Sequence, residues 1–212
     1  MSPVKPLDRH TLKTGTQWLA ENDTDLADLI AVDGVPPMWR REPGFATLTR
    51  IVLEQQVSLA SAANAYERIR RSVDRVAPRS ILTLGVQGLR DAGITRQKSA
   101  YLCDLAEHVE SGELCLSQLK TQSNEDVQSS LERVKGIGRW TSDVYLLLAL
   151  RRQDIWPTGD LALRQAIRSV KGEQHTSEYA QQKLAKRWIP WRSVAVRVLW
   201  NHYLKKRGRR AP

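Results

Sequence analysis

A turn bracketed by glycines and a solitary carboxylate lie about twenty positions apart in the second half of the chain. The turn is Gly136-Ile137-Gly138, and an apolar, helix-forming stretch at 144–150 follows it. The first glycine lets the chain reverse, and the second lets a phosphate approach the unpaired N–H groups at the start of the next helix. The carboxylate is Asp160. A phosphate anchor followed by an isolated carboxylate indicates chemistry on DNA.

The composition favours a polyanionic partner. The 212 residues carry 33 Lys and Arg against 23 Asp and Glu, which gives a formal net charge of +10, and 41% of the residues are hydrophobic. That hydrophobic content is ordinary for a globular protein and suffices for one substantial core. We expect nucleic acid rather than a membrane surface, because no basic amphipathic helix with a long apolar face stands out.

The sequence predicts a soluble protein without a cofactor. Its first six residues lack the apolar core of a signal peptide, and the most apolar run, 144–150, is too short to cross a bilayer. We expect a cytoplasmic, nucleoid-associated protein in a bacterium or a nuclear one in a eukaryote. The only cysteines, Cys103 and Cys115, are too few for an iron–sulfur cluster or a Cys-rich zinc site. Both are expected to be buried thiols.

Helical periodicity runs almost end to end, which predicts an all-α fold. We expect two helical lobes with a cleft between them, one formed by residues 1–47 and 159–212 and the other by residues 48–158. Pro78 and the glycines between 85 and 93 are expected to interrupt the helices, and the basic run 205–210 to fray. The predicted helices cover residues 12–21, 25–32, 45–56, 60–76, 96–110, 124–133, 139–150, 160–170, 177–187 and 191–206.

Four motifs carry a resemblance to a known family: Glu54-Gln55-Gln56-Val57-Ser58, the hairpin at 124–150 with Arg139-Trp140-Thr141, Pro157-x-x-Asp160, and Pro190-Trp191-Arg192-Ser193. From residue 51 to residue 200 the chain resembles the helix-hairpin-helix DNA glycosylases. It is most similar to the alkylated-base branch, DNA-3-methyladenine glycosylase II, in its short form. The resemblance implies an all-helical, two-lobed fold with the hairpin and a catalytic aspartate beside the cleft. Lys135 and Ser142 depart mildly from the family's usual Pro and Ala.

The resemblance implies hydrolysis of a glycosidic bond without cleavage of the DNA backbone. Members with lyase activity carry a nucleophilic lysine at the position of Trp140, and an indole cannot form a Schiff base. Local sequence alone makes Asp160 a helix cap, whereas the resemblance makes it the catalytic carboxylate that stabilises an oxocarbenium-like sugar. One carboxylate can suffice if the substrate is a cationic base such as 3-methyladenine or 7-methylguanine, because that base departs neutral.

Trp140 and Trp191 occupy positions that the resemblance assigns to the base pocket, although core packing is the common role of a tryptophan. Trp156, Trp188 and Trp200 are assigned to the core. A pocket tyrosine of some relatives is Val144 here, which predicts a wider pocket.

The contacts with DNA are also implied by the resemblance. Gln56 matches the residue that some members push into the duplex, or it is a polar residue at a helix end. Relatives hold an alkali cation on hairpin carbonyls, which here are those of Glu132, Val134 and Ile137. The residues expected to bind DNA are Gly136, Ile137, Gly138, Arg139 and Thr141.

The predicted partner is double-stranded DNA that contains alkylated bases, bound by a monomer. Two alternatives stay open on sequence alone. A non-catalytic helix-hairpin-helix DNA-binding protein needs only the hairpin and the basic charge, and a glycosylase with lyase activity is disfavoured by Trp140.

Overall fold

The computed structural model describes residues 6–208, and every regular element among them is a helix, which confirms the predicted all-α fold. None of these helices is long and apolar enough to span a membrane. Two short 3₁₀ turns lie at Glu173–His175 and Lys186–Trp188. The α-helices are α1 (Arg9–Asn22), α2 (Thr24–Asp33), α3 (Phe45–Glu54), α4 (Leu59–Ser72), α5 (Pro78–Asp91), α6 (Arg96–Glu110), α7 (Asn124–Leu131), α8 (Arg139–Leu148), α9 (Leu161–Lys171), α10 (Glu178–Ala185) and α11 (Arg192–Lys206).

The chain forms two compact units. Unit 1 comprises the described residues up to Arg40 and from Leu150 onward, and unit 2 comprises Arg41–Ala149. The sequence places the lobe boundaries several residues later, at 47/48 and 158/159. Unit 2 contains the predicted hairpin, and unit 1 contains Asp160.

Unit 1 is organised around α11, which packs on α1, α2 and α9. Seven consecutive residues of α11, 193–199, are buried. A helix that is buried on so much of its circumference belongs to the centre of a core. α11 is therefore the scaffold on which the surrounding helices of unit 1 are placed.

A buried network fixes the far end of α9. Lys171, at the last position of α9, donates to Asp23, the cap of α2, and Trp188 Nε1 donates to Asp23 Oδ2 at 2.9 Å. Burial by itself would raise the pKa of Asp23, but the hydrogen bonds from Lys171 and Trp188 outweigh it and hold that pKa below its ordinary value. The ionised carboxylate therefore stabilises the folded state.

We predict that the contribution of this network to the free energy of unfolding is lost in acid. Because the pKa of Asp23 is lower in the folded state, the stabilisation is complete above the unfolded pKa, about 4, and is lost as the pH falls through the folded value. Unfolding free energies measured by denaturant between neutral pH and acid should therefore fall below about pH 4, and less steeply in Asp23→Asn. Parallel pH profiles for the two proteins would contradict this assignment.

Unit 2 is built on α3 and α8. α3 packs on α4, α6 and α8, while α7 packs on α8 and α5 packs on α6. Residues 141–148 of α8 are all buried, so the helix that follows the glycine turn is a core element. Side-chain caps from Ser58, Thr95 and Ser123 begin α4, α6 and α7.

Three expectations from the sequence are wrong in detail. The predicted break between 78 and 93 is a helix, because Pro78 occupies the first turn, where its missing N–H costs nothing, and Gly85 (φ +60°) only kinks it. α3 ends at Glu54 rather than at Gln56. Cys103 is buried as expected, but Cys115 is exposed, because it lies in an irregular turn beside a buried leucine. The predicted fraying at 209–210 lies outside the described residues.

Candidate active site

The glycine turn in unit 2 connects α7 to α8, as the hairpin pattern predicts. The Ile137 N–H donates to the Val134 carbonyl at 3.0 Å and closes the turn. Gly136 has φ +84°, and a Cβ added there would lie 2.1 Å from Cγ of Tyr101. Gly138 caps α8 and has no side chain to accept from the first amides of that helix. A helix start of this kind is a site for phosphate oxygens.

Both departures from the family's hairpin pattern have hydrogen-bond partners within unit 2. Lys135, where the family usually has proline, donates its backbone N–H to Asp104 Oδ2 at 2.8 Å. Ser142, where the family usually has alanine, donates to Glu132 Oε1 and to the Arg139 carbonyl, both at 2.9 Å. Each substitution thus adds a local contact to the turn.

The residues predicted to bind DNA differ in their exposure. Gly138 and Arg139 are exposed, and Arg139 pairs with Asp143 at 3.2 Å. The side chains of Ile137 and Thr141 are buried, 4% and 1% exposed, so contacts from these two residues to DNA would run through their backbones. Direct contact with DNA stays a prediction for the whole set.

The turn between α3 and α4 carries Gln56, the residue predicted to enter the duplex. Gln56 is exposed and has φ +57°, and its neighbour Val57 is 47% exposed. Left-handed backbone at a residue other than glycine costs about 1 kcal/mol or more and is found where a turn has a function. The wedge role is a prediction that this conformation favours over the alternative of a residue at a helix end.

In unit 1, Asp160 caps α9 and is 7% exposed. Its Oδ1 accepts from the Leu163 N–H at 2.7 Å and from Trp200 Nε1 at 3.1 Å. The capping role considered from the sequence is therefore present. Two donors on one oxygen fix the orientation of the carboxylate, which a group that must stabilise a developing positive charge requires.

A pair of half-buried tryptophans lies at this carboxylate. The rings of Trp39 and Trp200 have centroids 6.2 Å apart and are tilted by 48°. Trp39 has φ +45°, and the fully buried Arg197 donates from Nε to the carbonyl of the preceding residue, Met38, at 3.1 Å. Burial, with the neighbouring positive charge of Arg151, lowers the pKa of Arg197 to about 9, which leaves the guanidinium charged at neutral pH.

The sequence assigned Trp200 to the core and did not single out Trp39, so the tryptophan in contact with the carboxylate was missed. Nothing in the linear pattern distinguishes Trp200 from the other tryptophans, because its contact with Asp160 joins residues forty positions apart.

Trp140 and Trp191, the two predicted walls of the base pocket, lie in different structural environments. Trp140 is partly exposed in the first turn of α8. Trp191 lies against Gly15 of α1, where an added Cβ would be 2.5 Å from the indole Cε3. Trp156 and Trp188 form a buried pair with centroids 5.6 Å apart, in keeping with their assignment to the core. Trp140 and Trp191 remain predictions as walls of a base pocket.

Among residues 6–208 no three His, Cys, Asp or Glu side chains are arranged to hold a metal ion. The alkali cation expected on the carbonyls of Glu132, Val134 and Ile137 involves no such side chains. Neutral carbonyl oxygens gathered in one turn suit an alkali cation, and the Val134 carbonyl also accepts from the Ile137 N–H. This cation stays a prediction.

Comparisons with known proteins place the segment that includes both the glycine turn and Asp160 in one family. A model of the HhH-GPD superfamily of base excision DNA repair proteins matches residues 49–190. DNA-3-methyladenine glycosylase 1 of Schizosaccharomyces pombe is 30% identical over 170 residues, which are 77% of this chain and 73% of that protein. YfjP of Bacillus subtilis, named provisionally as a DNA-3-methyladenine glycosylase, is 28% identical over 74% of this chain, which spans only 58% of YfjP.

A solved structure gives the same fold. The 3-methyladenine DNA glycosylase of S. pombe in complex with abasic DNA has a TM-score of 0.80 and 24% identity, over 88% of this chain and 95% of that one. The resemblance predicted from the motifs is confirmed: the chain belongs to the HhH-GPD superfamily of base excision DNA repair proteins.

Proposed function

We propose that the protein is a monofunctional DNA glycosylase that removes alkylated purines, 3-methyladenine first among them, and leaves an abasic site. The observation that carries this proposal is the Asp160 carboxylate, held by two donors, one of which is the indole of a half-buried tryptophan pair. A capping role alone explains the Leu163 contact but gives no reason for the aromatic pair beside it.

The proposed reaction is a hydrolysis in which the N-glycosidic bond breaks and water adds to the sugar. The base of a 3-methyladenine or 7-methylguanine nucleotide is cationic, so it takes the bonding electrons and departs neutral. The sugar then carries the positive charge. The negative Asp160 stabilises that charge and orients the water molecule that adds to the sugar. The water's oxygen bonds to the anomeric carbon, and its proton passes to the carboxylate or to solvent. No general acid is needed for such a leaving group.

The flat, electron-rich faces of Trp39 and Trp200 suit a cationic purine. The Trp200 ring is held by its contact with Asp160, and the backbone next to Trp39 is held by the Arg197 contact to the Met38 carbonyl. We therefore assign the first stacking surface to this pair. The absence of a lysine at the position of Trp140 supports hydrolysis without strand cleavage.

We propose double-stranded DNA as the partner of a monomer; DNA as the partner is supported by the glycine turn, by the net charge of +10 and by the related structure that contains abasic DNA. Binding of this kind rests largely on phosphate contacts and should weaken steeply with added salt.

The experiment that tests the proposal uses a duplex with one methylated purine, incubated with the protein and run on a denaturing gel with and without alkali. Strand breaks that need alkali are expected. Breaks without alkali indicate a lyase, and no breaks in either lane indicate a non-catalytic DNA-binding protein. Both of these outcomes contradict the proposal.

We predict a charge-selective effect of removing the stacking tryptophans. Trp140→Ala and Trp200→Ala should each remove about 1 to 3 kcal/mol of base stacking, and the loss of excision should be larger for cationic 3-methyladenine than for neutral hypoxanthine. Excision of both bases and the melting temperature are measured for each variant.

Trp188→Ala serves as the packing comparison for these variants. Because Trp188 is buried and packs on Trp156, its truncation should lower the stability by about 3 to 5 kcal/mol, without a preference between the two bases. Equal activity losses for both bases in Trp140→Ala and Trp200→Ala, with a large fall in stability, would return those tryptophans to the core.

A further inference from the structure

One face of α6 contacts both of the turns that the proposed function assigns to DNA. Lys98, Tyr101 and Asp104 are spaced by three residues along α6, so they lie along one side of that helix. Lys98 contacts the turn that carries Gln56, while Tyr101 and Asp104 contact the glycine turn. All of these residues are in unit 2.

Lys98 fixes the carboxyl end of α3. Its Nζ donates to the Leu53 carbonyl at 2.6 Å and to the Gln55 carbonyl at 2.9 Å. The last carbonyls of a helix have no partners within the helix, and a partly buried cation there also complements the helix dipole. Burial lowers the pKa of Lys98, and the nearby Glu54 carboxylate offsets part of that effect. The backbone is thereby held at the residue that immediately precedes Gln56.

Gln55 connects this turn to the hairpin. Its side-chain Nε2 donates to the Gly136 carbonyl at 2.8 Å and to Thr141 Oγ1 at 2.9 Å. Its backbone carbonyl is the one that Lys98 holds. A single residue therefore joins the turn before Gln56 both to the glycine turn and to the first turn of α8.

The hairpin is held by the same helix. The ring of Tyr101 lies directly under Gly136, and Gln97 donates to the Tyr101 hydroxyl at 2.7 Å. Asp104 accepts the Lys135 N–H. These contacts connect three elements to one another: α6 contacts the Gln56 turn, Gln55 joins that turn to the glycine turn, and the glycine turn contacts α6. A shift of either turn breaks contacts in the other.

We infer that Lys98 and Gln55 are positioning residues that hold Gln56 at a fixed position relative to the phosphate-binding hairpin. When the hairpin binds the DNA backbone, the Gln56 side chain is then placed to replace the extracted base. This inference rests on the proposed function. It requires Gln56, with its exposed side chain and left-handed backbone, to act during base extraction. Neither Lys98 nor Gln55 needs to touch DNA for this role.

The test separates extraction of the base from hydrolysis of its bond. Excision of 3-methyladenine is measured in single-turnover conditions from a fully paired duplex and from the same duplex with the lesion in a three-nucleotide bubble, where unpairing is already complete. Lys98→Met, which keeps the aliphatic stem and loses the donors, should lower excision from the paired duplex about tenfold and leave the bubble substrate almost unchanged. Gln55→Met should behave in the same way, and Lys98→Arg should restore most of the loss.

Two further measurements distinguish positioning from simple destabilisation. If Lys98 acts through Gln56, adding Lys98→Met to Gln56→Ala should cause no additional loss on the paired duplex. Lys13→Met, at an exposed position of α1, removes the same charge and should leave the ratio of the two substrates unchanged. Melting temperatures identify a variant that fails to fold; if Lys98→Met does so, Gln55→Met, alone and combined with Gln56→Ala, carries the test.

Equal losses of Lys98→Met on paired and bubble substrates, or additive losses with Gln56→Ala, would overturn the inference. A 2-aminopurine placed beside the target base reports unstacking without any chemistry, and its fluorescence rise on binding should be reduced in Lys98→Met. If the wild-type protein releases no base from either substrate, the proposed function fails. The fluorescence comparison then still decides whether Lys98 positions Gln56.

Discussion

Asp160→Asn is expected to lower the single-turnover rate of alkylbase excision by about 10² or more, the effect of removing one well-placed electrostatic group from a transition state. Asparagine has an oxygen that can accept from the Leu163 N–H and from Trp200 Nε1, so the cap and the indole contact are retained. The negative charge is lost. DNA affinity and melting temperature should therefore stay close to the wild-type values.

Asp8→Asn is the matched control for this variant. Asp8 caps α1 with the same geometry, its side chain accepting from the Thr11 N–H at 2.8 Å, but it lies in an exposed capping box. The two substitutions remove the same charge from the same kind of cap. Excision by Asp8→Asn should match the wild type, and near-normal excision by a folded Asp160→Asn would reduce Asp160 to a cap.

Gly136→Ala is expected to weaken binding to damaged and undamaged duplexes alike, by an order of magnitude or more, because phosphate contacts position a protein on DNA without reading the base. The added Cβ would meet the Tyr101 ring at 2.1 Å, and the φ of +84° is unfavourable for any side chain. That backbone conformation alone costs about 1 to 3 kcal/mol. Affinities for both duplexes, measured by fluorescence anisotropy over a range of salt, check this result together with the melting temperature.

Gly138→Ala provides the comparison within the same turn. Gly138 has φ −105°, and a Cβ there would have no atom within 4 Å, so the folded state accommodates alanine. Its melting temperature should be unchanged, while the methyl group still obstructs a phosphate that approaches the start of α8. Full affinity for plain duplex in both folded variants, or a loss confined to lesion-containing DNA, would contradict a phosphate anchor.

The sequence predicts those features of this protein that depend on local pattern. The glycine spacing locates the hairpin, and the helical periodicity of apolar residues locates most helices. The position of Asp160 before an apolar run identifies it as a helix cap. The predicted break at 78–93 is wrong, because the proline starts a helix and Gly85 only kinks it.

The contacts missed from the sequence join residues that are distant along the chain. Trp200 reaches Asp160 across forty positions, and Arg197 reaches the carbonyl before Trp39 across an even longer separation. Lys98 and Gln55 act on backbone carbonyls, which carry no side-chain signal in a sequence. Such residues become visible only when the donors and acceptors are placed in space.

The non-catalytic alternative is less favoured once these contacts are known. Binding of duplex DNA needs the hairpin and the positive charge, but it assigns no role to a carboxylate held by an indole or to the half-buried ring that faces that indole. Under the proposed function these groups bind a cationic, aromatic ligand beside a fixed negative charge. An extracted alkylpurine nucleotide has that chemistry.

The most direct test of the central claim is chromatography of the bases released from DNA methylated by an alkylating agent. We predict that the wild-type protein releases free 3-methyladenine in amounts equal to the abasic sites formed, and that Asp160→Asn releases it at about one hundredth of that rate or less. Tight binding of the methylated duplex with no base released by the wild-type protein would contradict the account and leave a DNA-binding protein without catalytic activity.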